Sequence, residues 1–200
     1  LVKGSLKTFL NAMTYPDKTV YPVASQNDKD FQNLMDVYLD AVFHPNCLEN
    51  YRTFLQEGWH YTLNKEGKLC YSGVVYNEMR GAFSDPESVL ERYTFHSLFP
   101  DTTYGNESGG DPEDIPKLTY DAFKAFHQRF YHPSNSFIIL YGDMNMEEKL
   151  NWIDEAYLQE FERISPNSEI AGQQPFGKMV EESHYYPISE KDSSENKAYL

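Results

Sequence analysis

The chain has 200 residues, of which 40% are hydrophobic and 16% aromatic, enough apolar material for a packed core and too much for global disorder. Seventeen Lys and Arg stand against 31 Asp and Glu, a formal net charge of −14. That balance argues against nucleic acid, whose phosphates must be neutralised by basic side chains, and against an anionic membrane surface; it suits an acidic protein or one that meets basic peptides.

Taken in chain order, Leu6, Phe9, Leu10 and Met13 fall at three- and four-residue steps and predict a short helix over 5–13. Thr14-Tyr15-Pro16-Asp17 reads as a turn, and Thr19-Val20-Tyr21 with Pro22 as an edge strand. Asn27 or Asp28 can cap a helix over 29–43, with Phe31, Leu34, Met35, Tyr38 and Val42 on one stripe and His44-Pro45 at its end. A helix over 48–57 leads into a hairpin, Trp59 to Leu63 and Lys68 to Tyr71, turning through Asn64-Lys65-Glu66-Gly67. Ser72 can cap a helix from Gly73 to about Phe83, and 84–98 is helical again. Residues 100–117, rich in Gly, Pro, Asp, Thr and Ser, predict a long ordered loop. Thr119 caps a helix to about Tyr131, with Tyr120, Phe123, His127 and Phe130 on one side. Phe137-Ile138-Ile139-Leu140-Tyr141 is a continuous apolar run, as a buried strand would be. The last helix spans 146–163. The fold class expected is α+β. The expected domain organisation is one domain over 1–164, a polar linker over 165–178, and the start of a following domain over 179–200.

Two cysteines, Cys47 and Cys70, lack metal-type spacing and predict reduced, partly buried thiols. No run approaches the roughly 18 apolar residues that span a bilayer. His127 and His132 are five apart and do not share a helical face, so they are not expected to form a metal pair. Ser108-Gly109-Gly110-Asp111 lacks a Lys and a preceding strand, and reads as a turn rather than a phosphate loop. No complete catalytic constellation is present. The informative stretch is Gly73-Val74-Val75-Tyr76-Asn77-Glu78-Met79-Arg80-Gly81. On a helix Val74, Glu78 and Ala82 share a face, which sets a carboxylate in an apolar stripe. A buried carboxylate needs a cation, a donor or a metal, so Glu78 is either a salt-bridged helix residue or a ligand.

That stretch resembles the segment carrying the third zinc ligand in presequence proteases and falcilysin-like enzymes of the pitrilysin/insulinase-type zinc metallopeptidases. Further stretches fit the same branch in the same order: Leu6 through Thr19, Gln56-Glu57-Gly58-Trp59-His60, Ser108-Gly109-Gly110-Asp111-Pro112, Phe126-His127 through Asn135, and Tyr141-Gly142-Asp143. The resemblance implies an α+β half, an antiparallel or mixed sheet flanked by helices, within a two-halved chamber that degrades unstructured peptides. It implies one Zn²⁺ held by both His of an H-x-x-E-H motif and a distal Glu, with the motif's Glu as general base. Carried over residue by residue, the distal ligand is Glu78. Asn11, Ala12 and Met13, with Thr19-Val20-Tyr21, resemble the edge to which an extended substrate adds as a strand. The plainer alternative for Asn11 is a helix-ending residue.

Two departures stand out. No H-x-x-E-H occurs in these 200 residues, so the chain is expected to be an internal fragment without catalytic residues, inactive alone and completed by the remaining halves of its polypeptide. An acid that pitrilysin and insulin-degrading enzymes carry seven positions before the ligand is here Tyr71, which fits the presequence-protease branch. A non-catalytic family member serving as a structural or peptide-binding partner is the alternative, and an unrelated acidic peptide-binding module a third. The expected setting is bacterial cytoplasm or a eukaryotic organelle matrix.

Overall fold

A computed structural model describes residues 4–186. They form two compact units. The first comprises the stretch up to Met13, Thr19–Tyr51 and Thr119–Glu169; the second comprises Thr14–Lys18, Arg52–Leu118 and the stretch from Ile170 onward. Residues 187–200 of the segment 179–200, expected to open a further domain, lie outside the described residues.

In the first unit the chain begins with strand β1 (Lys7–Leu10), not a helix. Four apolar residues at mixed spacing do not discriminate a helix from a strand, and tertiary pairing decides. β1 runs antiparallel to β4 (Val23–Ser25), with Phe9 opposite Ala24, Leu10 opposite Val23, and a register shift between Lys7 and Phe9. Between them, β2 (Met13–Thr14) pairs with β3 (Thr19–Val20). Helix α1 (Asp28–Phe43) follows. Asn27 caps it by accepting from the Asp30 N–H, as its sequence position predicts. Asp30 in turn accepts from the Ser5 hydroxyl and the Leu6 N–H, tying the start of β1 to the first turn of α1. Leu34, Met35 and Phe43 are the buried face.

The second unit opens with α2 (Tyr51–Glu57), whose first residue belongs to the first unit, and the expected hairpin, formed by β5 (His60–Leu63) and β6 (Leu69–Ser72) with His60 opposite Ser72 and Leu63 opposite Leu69. Asn64 shapes the turn, its side chain accepting from the N–H groups of Glu66 and Lys68. Helix α3 (Val74–Ala82) follows directly; Ser72 is the last strand residue, and Gly73 occupies the cap position without a side-chain bond. Helix α4 (Pro86–Leu98) is capped by Asp85. The loop beyond it is ordered around two single-turn 3₁₀ segments, Thr103–Gly105 and Ile115–Lys117, with Ile115 buried.

The chain then returns to the first unit. Helix α5 (Tyr120–Phe130), capped by Thr119, buries His127, whose Nε2–H donates to the Val42 carbonyl at 2.8 Å. The Tyr120 hydroxyl sits within 2.6–2.8 Å of the Leu48 and Cys47 carbonyls. Helix α6 (Met146–Ala156) stops earlier than expected, and a 3₁₀ turn, Leu158–Glu160, replaces its last turns. Lys149 is only 3% exposed, and its ammonium donates to Gln32 Oε1 and pairs with Asp28, both at 3.0 Å. The Tyr157 hydroxyl donates within the Asp36 main-chain and carboxylate oxygens, 2.8 and 2.7 Å away.

A second expectation, the buried strand, also fails. Phe137–Tyr141 is neither buried nor part of a ladder: Phe137 is 97%, Ile139 86% and Tyr141 94% exposed. The run has strand composition, but a strand is stabilised by pairing, and no described residue pairs with it. The architecture is α+β, six α-helices with three two-stranded ladders among the described residues, of which β1–β4 and β5–β6 are antiparallel. No helix among them is long and apolar enough to cross a membrane.

Candidate functional site

Two groups of residues carry the functional expectation, one in each unit. In the second unit Glu78 lies in the second turn of α3. The helix starts at Gly73 because φ 153° and ψ 155° there turn β6 abruptly into it. Tyr76 donates its main-chain N–H to the Gly58 carbonyl at 3.4 Å, docking the first turn on the corner between α2 and β5. An aromatic chain lies alongside, Trp59 against Tyr61 and Tyr71, and Tyr71 edge-on to Tyr76 at 5.8 Å. Further along, Met79 is the one buried residue of α3.

Glu78 is exposed, and so are Val74 and Ala82 on the same face. The expected buried apolar stripe around the carboxylate is therefore wrong. Residue spacing gives the face but not what covers it, and α3 buries the side that carries Met79. The alternative of a salt-bridged helix residue fails as well, since no hydrogen bond or ion pair to Glu78 is formed among the described residues. The carboxylate offers free oxygen lone pairs at the surface of a short, well-anchored helix. An anionic oxygen of this kind suits Zn²⁺ as one ligand, but a catalytic zinc takes three protein ligands. Among the described residues no cluster of three or more His, Cys, Asp or Glu is placed to hold a metal. The fit is thus that of a single donor.

In the first unit Asn11 and Ala12 are exposed just past the end of β1, and Met13 opens β2. Asn11 does not end a helix: its N–H donates to the Pro22 carbonyl at 3.2 Å, extending the β1–β4 side of the sheet. Its side-chain Oδ1 accepts from the Ala12 N–H at 2.9 Å. Nearby, Tyr21 and Tyr131 share a hydroxyl–hydroxyl hydrogen bond of 2.9 Å, and burial pushes the Tyr21 phenol well above its usual range. That pair lay unnoticed in the sequence, since the two positions are 110 residues apart. Cys47 and Cys70 are both free and half-buried, and burial raises the Cys47 thiol.

Comparison with known proteins bears on the family of the chain. The family model described as the peptidase M16 inactive domain matches residues 117–198. The chain is 56% identical over 200 residues to Protein HypA of Clostridium perfringens, covering all of this chain and 21% of that protein. It is 51% identical over 203 residues to presequence protease 1, chloroplastic/mitochondrial, of Arabidopsis thaliana, covering 100% of this chain and 19% of that one. To the mitochondrial presequence protease of Danio rerio it is 45% identical over 182 residues, 89% of this chain and 18% of the relative. The chain thus spans about a fifth of the length of the curated relatives it matches. Its α+β architecture and this similarity along its whole length agree: the chain belongs to the pitrilysin-type peptidases, on their presequence-protease branch.

Proposed function

We propose that the full-length protein is a zinc-dependent endopeptidase that degrades unstructured peptides within a two-halved chamber, and that this chain contributes one zinc ligand, Glu78, and part of the substrate edge, Asn11-Ala12-Met13. The observation that supports it is the unpartnered, exposed carboxylate of Glu78 on a helix anchored at both its start and its middle. The His ligands and the general base must come from outside these 200 residues. Zinc, when bound in such a site, acidifies a water and polarises the scissile carbonyl. This chain's own part is to hold an anionic oxygen and to align the peptide. Peptide pairing at Ala12 requires Asn11 Oδ1 to release the Ala12 N–H, so the Asn11 side chain acts as a stand-in for a substrate carbonyl. The setting proposed is one where unfolded peptides arise, bacterial cytoplasm or organelle matrix.

A second reading has one observation in its favour. The family model that matches residues 117–198 is described as an inactive domain. In that reading the protein is a non-catalytic partner that binds peptides.

The test replaces Glu78 by Gln in the full-length protein and measures zinc content and cleavage of one sequence, free and embedded in a stably folded domain. Gln keeps the shape and removes the charge that offsets Zn²⁺. The expected result is a sharp loss of zinc and of cleavage, with the free peptide strongly preferred by the unmodified protein. Full zinc and full activity in Glu78→Gln would refute the ligand, equal cleavage of free and folded substrate would refute the chamber, and an unmodified protein without zinc or cleavage would establish the non-catalytic reading.

A further inference from the structure

We infer that Gly109, acting through Met79, is a positioning residue that fixes the carboxylate of Glu78; the inference rests on the reading of Glu78 as a zinc ligand. Met79 follows Glu78 directly and is the one buried side chain of α3. It lies on Gly109 so closely that a Cβ there would stand 2.9 Å from Met79 Cε and closer still to its sulfur. A rotation of α3 about its axis moves both residues together, because neighbours on a helix share one rigid backbone.

The seat itself is held. Asp111, two residues on, accepts from Arg92 of α4 at 3.0 Å. The Arg92 guanidinium lies over the Phe83 ring, 4.0 Å from its centre, just past the end of α3. The Asp111 carbonyl also accepts from the N–H groups of Asp114 and Ile115, closing the loop on the buried Ile115. Gly110 takes φ 91° between them. The Ser108-Gly109-Gly110-Asp111 stretch, which the sequence shows only as a turn, is thus a braced surface with a missing side chain where Met79 rests. With the first turn docked on Gly58, α3 is fixed at two points, and the ligand lies beside the second.

The experiment uses the full-length protein with Gly109→Ala, Met79→Ala and the double variant, each with Glu78 intact and as Gln. Zinc affinity is read by competition with a chromophoric chelator, and folding by circular dichroism. Met79→Ala, which removes the buried anchor of α3, is expected to weaken zinc binding several-fold, and Gly109→Ala less, because the Met79 thioether is the far end of a flexible side chain that can turn partly away from the new methyl. The double variant binds more tightly than the product of the two losses, because Met79→Ala removes the atoms that the new methyl strikes and the methyl partly refills the space. In the Glu78→Gln background neither change has a further effect. Should Gly109→Ala fail to fold, Met79→Ala tests the same contact from its other side. Wild-type affinity in Met79→Ala or in folded Gly109→Ala overturns the inference, and so does an equal loss in the Gln background. If Glu78→Gln alone leaves zinc affinity unchanged, the ligand reading has failed, a result separable from failure of the positioning.

Discussion

Replacing Gly73 by Ala probes the junction on which α3 depends. With φ 153° and ψ 155°, Gly73 occupies a region that is essentially closed to other residues, and a side chain there costs about 1–3 kcal/mol in backbone strain. The added Cβ would stand 2.7 Å from the Gly58 carbonyl carbon, closer to its oxygen, and 2.8 Å from Trp59 Cα. These are main-chain atoms that cannot rotate aside, so the α2–β5 corner must separate from α3 at a further cost of about 1–3 kcal/mol. The sum, about 2–6 kcal/mol, is a large part of the roughly 5–15 kcal/mol that holds a domain together. Two other glycines calibrate the measurement. Gly67 has φ 73° with nothing within 4 Å of an added Cβ, so Gly67→Ala incurs backbone strain alone, about 1–2 kcal/mol. Gly81 lies inside α3 with equally open space, and Ala there stabilises by about 0.5–1 kcal/mol. Urea unfolding followed by circular dichroism should rank stability as Gly81→Ala, wild type, Gly67→Ala, Gly73→Ala, from highest to lowest. A Gly73→Ala midpoint equal to that of Gly67→Ala would refute the close approach of α3 to Gly58.

Two further outcomes are expected. Burial is the main cause that holds the His127 imidazole below its ordinary range, with the Val42 carbonyl opposing and neighbouring His44 assisting. The unfolded chain therefore takes up this proton first as pH falls, so the contribution of neutral His127 is complete above about pH 6.5 and is lost on acidification from there toward the folded-state value. Urea unfolding on either side of that pH should show a smaller acid loss in His127→Asn than in the wild type; equal losses would sink the argument. Leu34→Ala, at the most buried position of α1, should destabilise by about 2–5 kcal/mol in the same assay, and a loss below about 1 kcal/mol would show that α1 is not packed as described.

Local chemistry was the legible part of this sequence. Asn27, Asp85 and Thr119 each cap a helix through their own side chains, and Asn64 builds a hairpin turn from two main-chain bonds, so these boundaries are written in single residues. The β5–β6 hairpin and the loop after α4 follow from turn residues in the same way. What depended on distant partners was not legible. Lys7–Leu10 is a strand because Val23–Ser25 pairs with it, and Phe137–Tyr141 is exposed because nothing described does. Met79 and Gly109 meet across 30 positions, and no pattern in either segment announces it. Glu78 itself was found by resemblance. Its helical face follows from spacing, but its exposure depends on which side of α3 the rest of the unit covers.

The bare run Phe137-Ile138-Ile139-Leu140-Tyr141 also governs how this chain behaves by itself in a test tube. Five consecutive strand-forming apolar residues without a charge or a proline have the composition of self-templating fibril cores. Here Phe137, Ile139 and Tyr141 lie in the open, with Ser136 and Gly142-Asp143 flanking the run, so a single acidic gatekeeper guards one side. Copies meeting through this segment can satisfy one another's main-chain groups in register, which is the start of a cross-β stack. The net charge of −14 opposes that encounter by mutual repulsion, and salt weakens the repulsion. Concentrated, high-salt stocks of the isolated chain are therefore where ordered aggregates nucleate, and dilute, low-salt ones are where the acidic surface keeps copies apart.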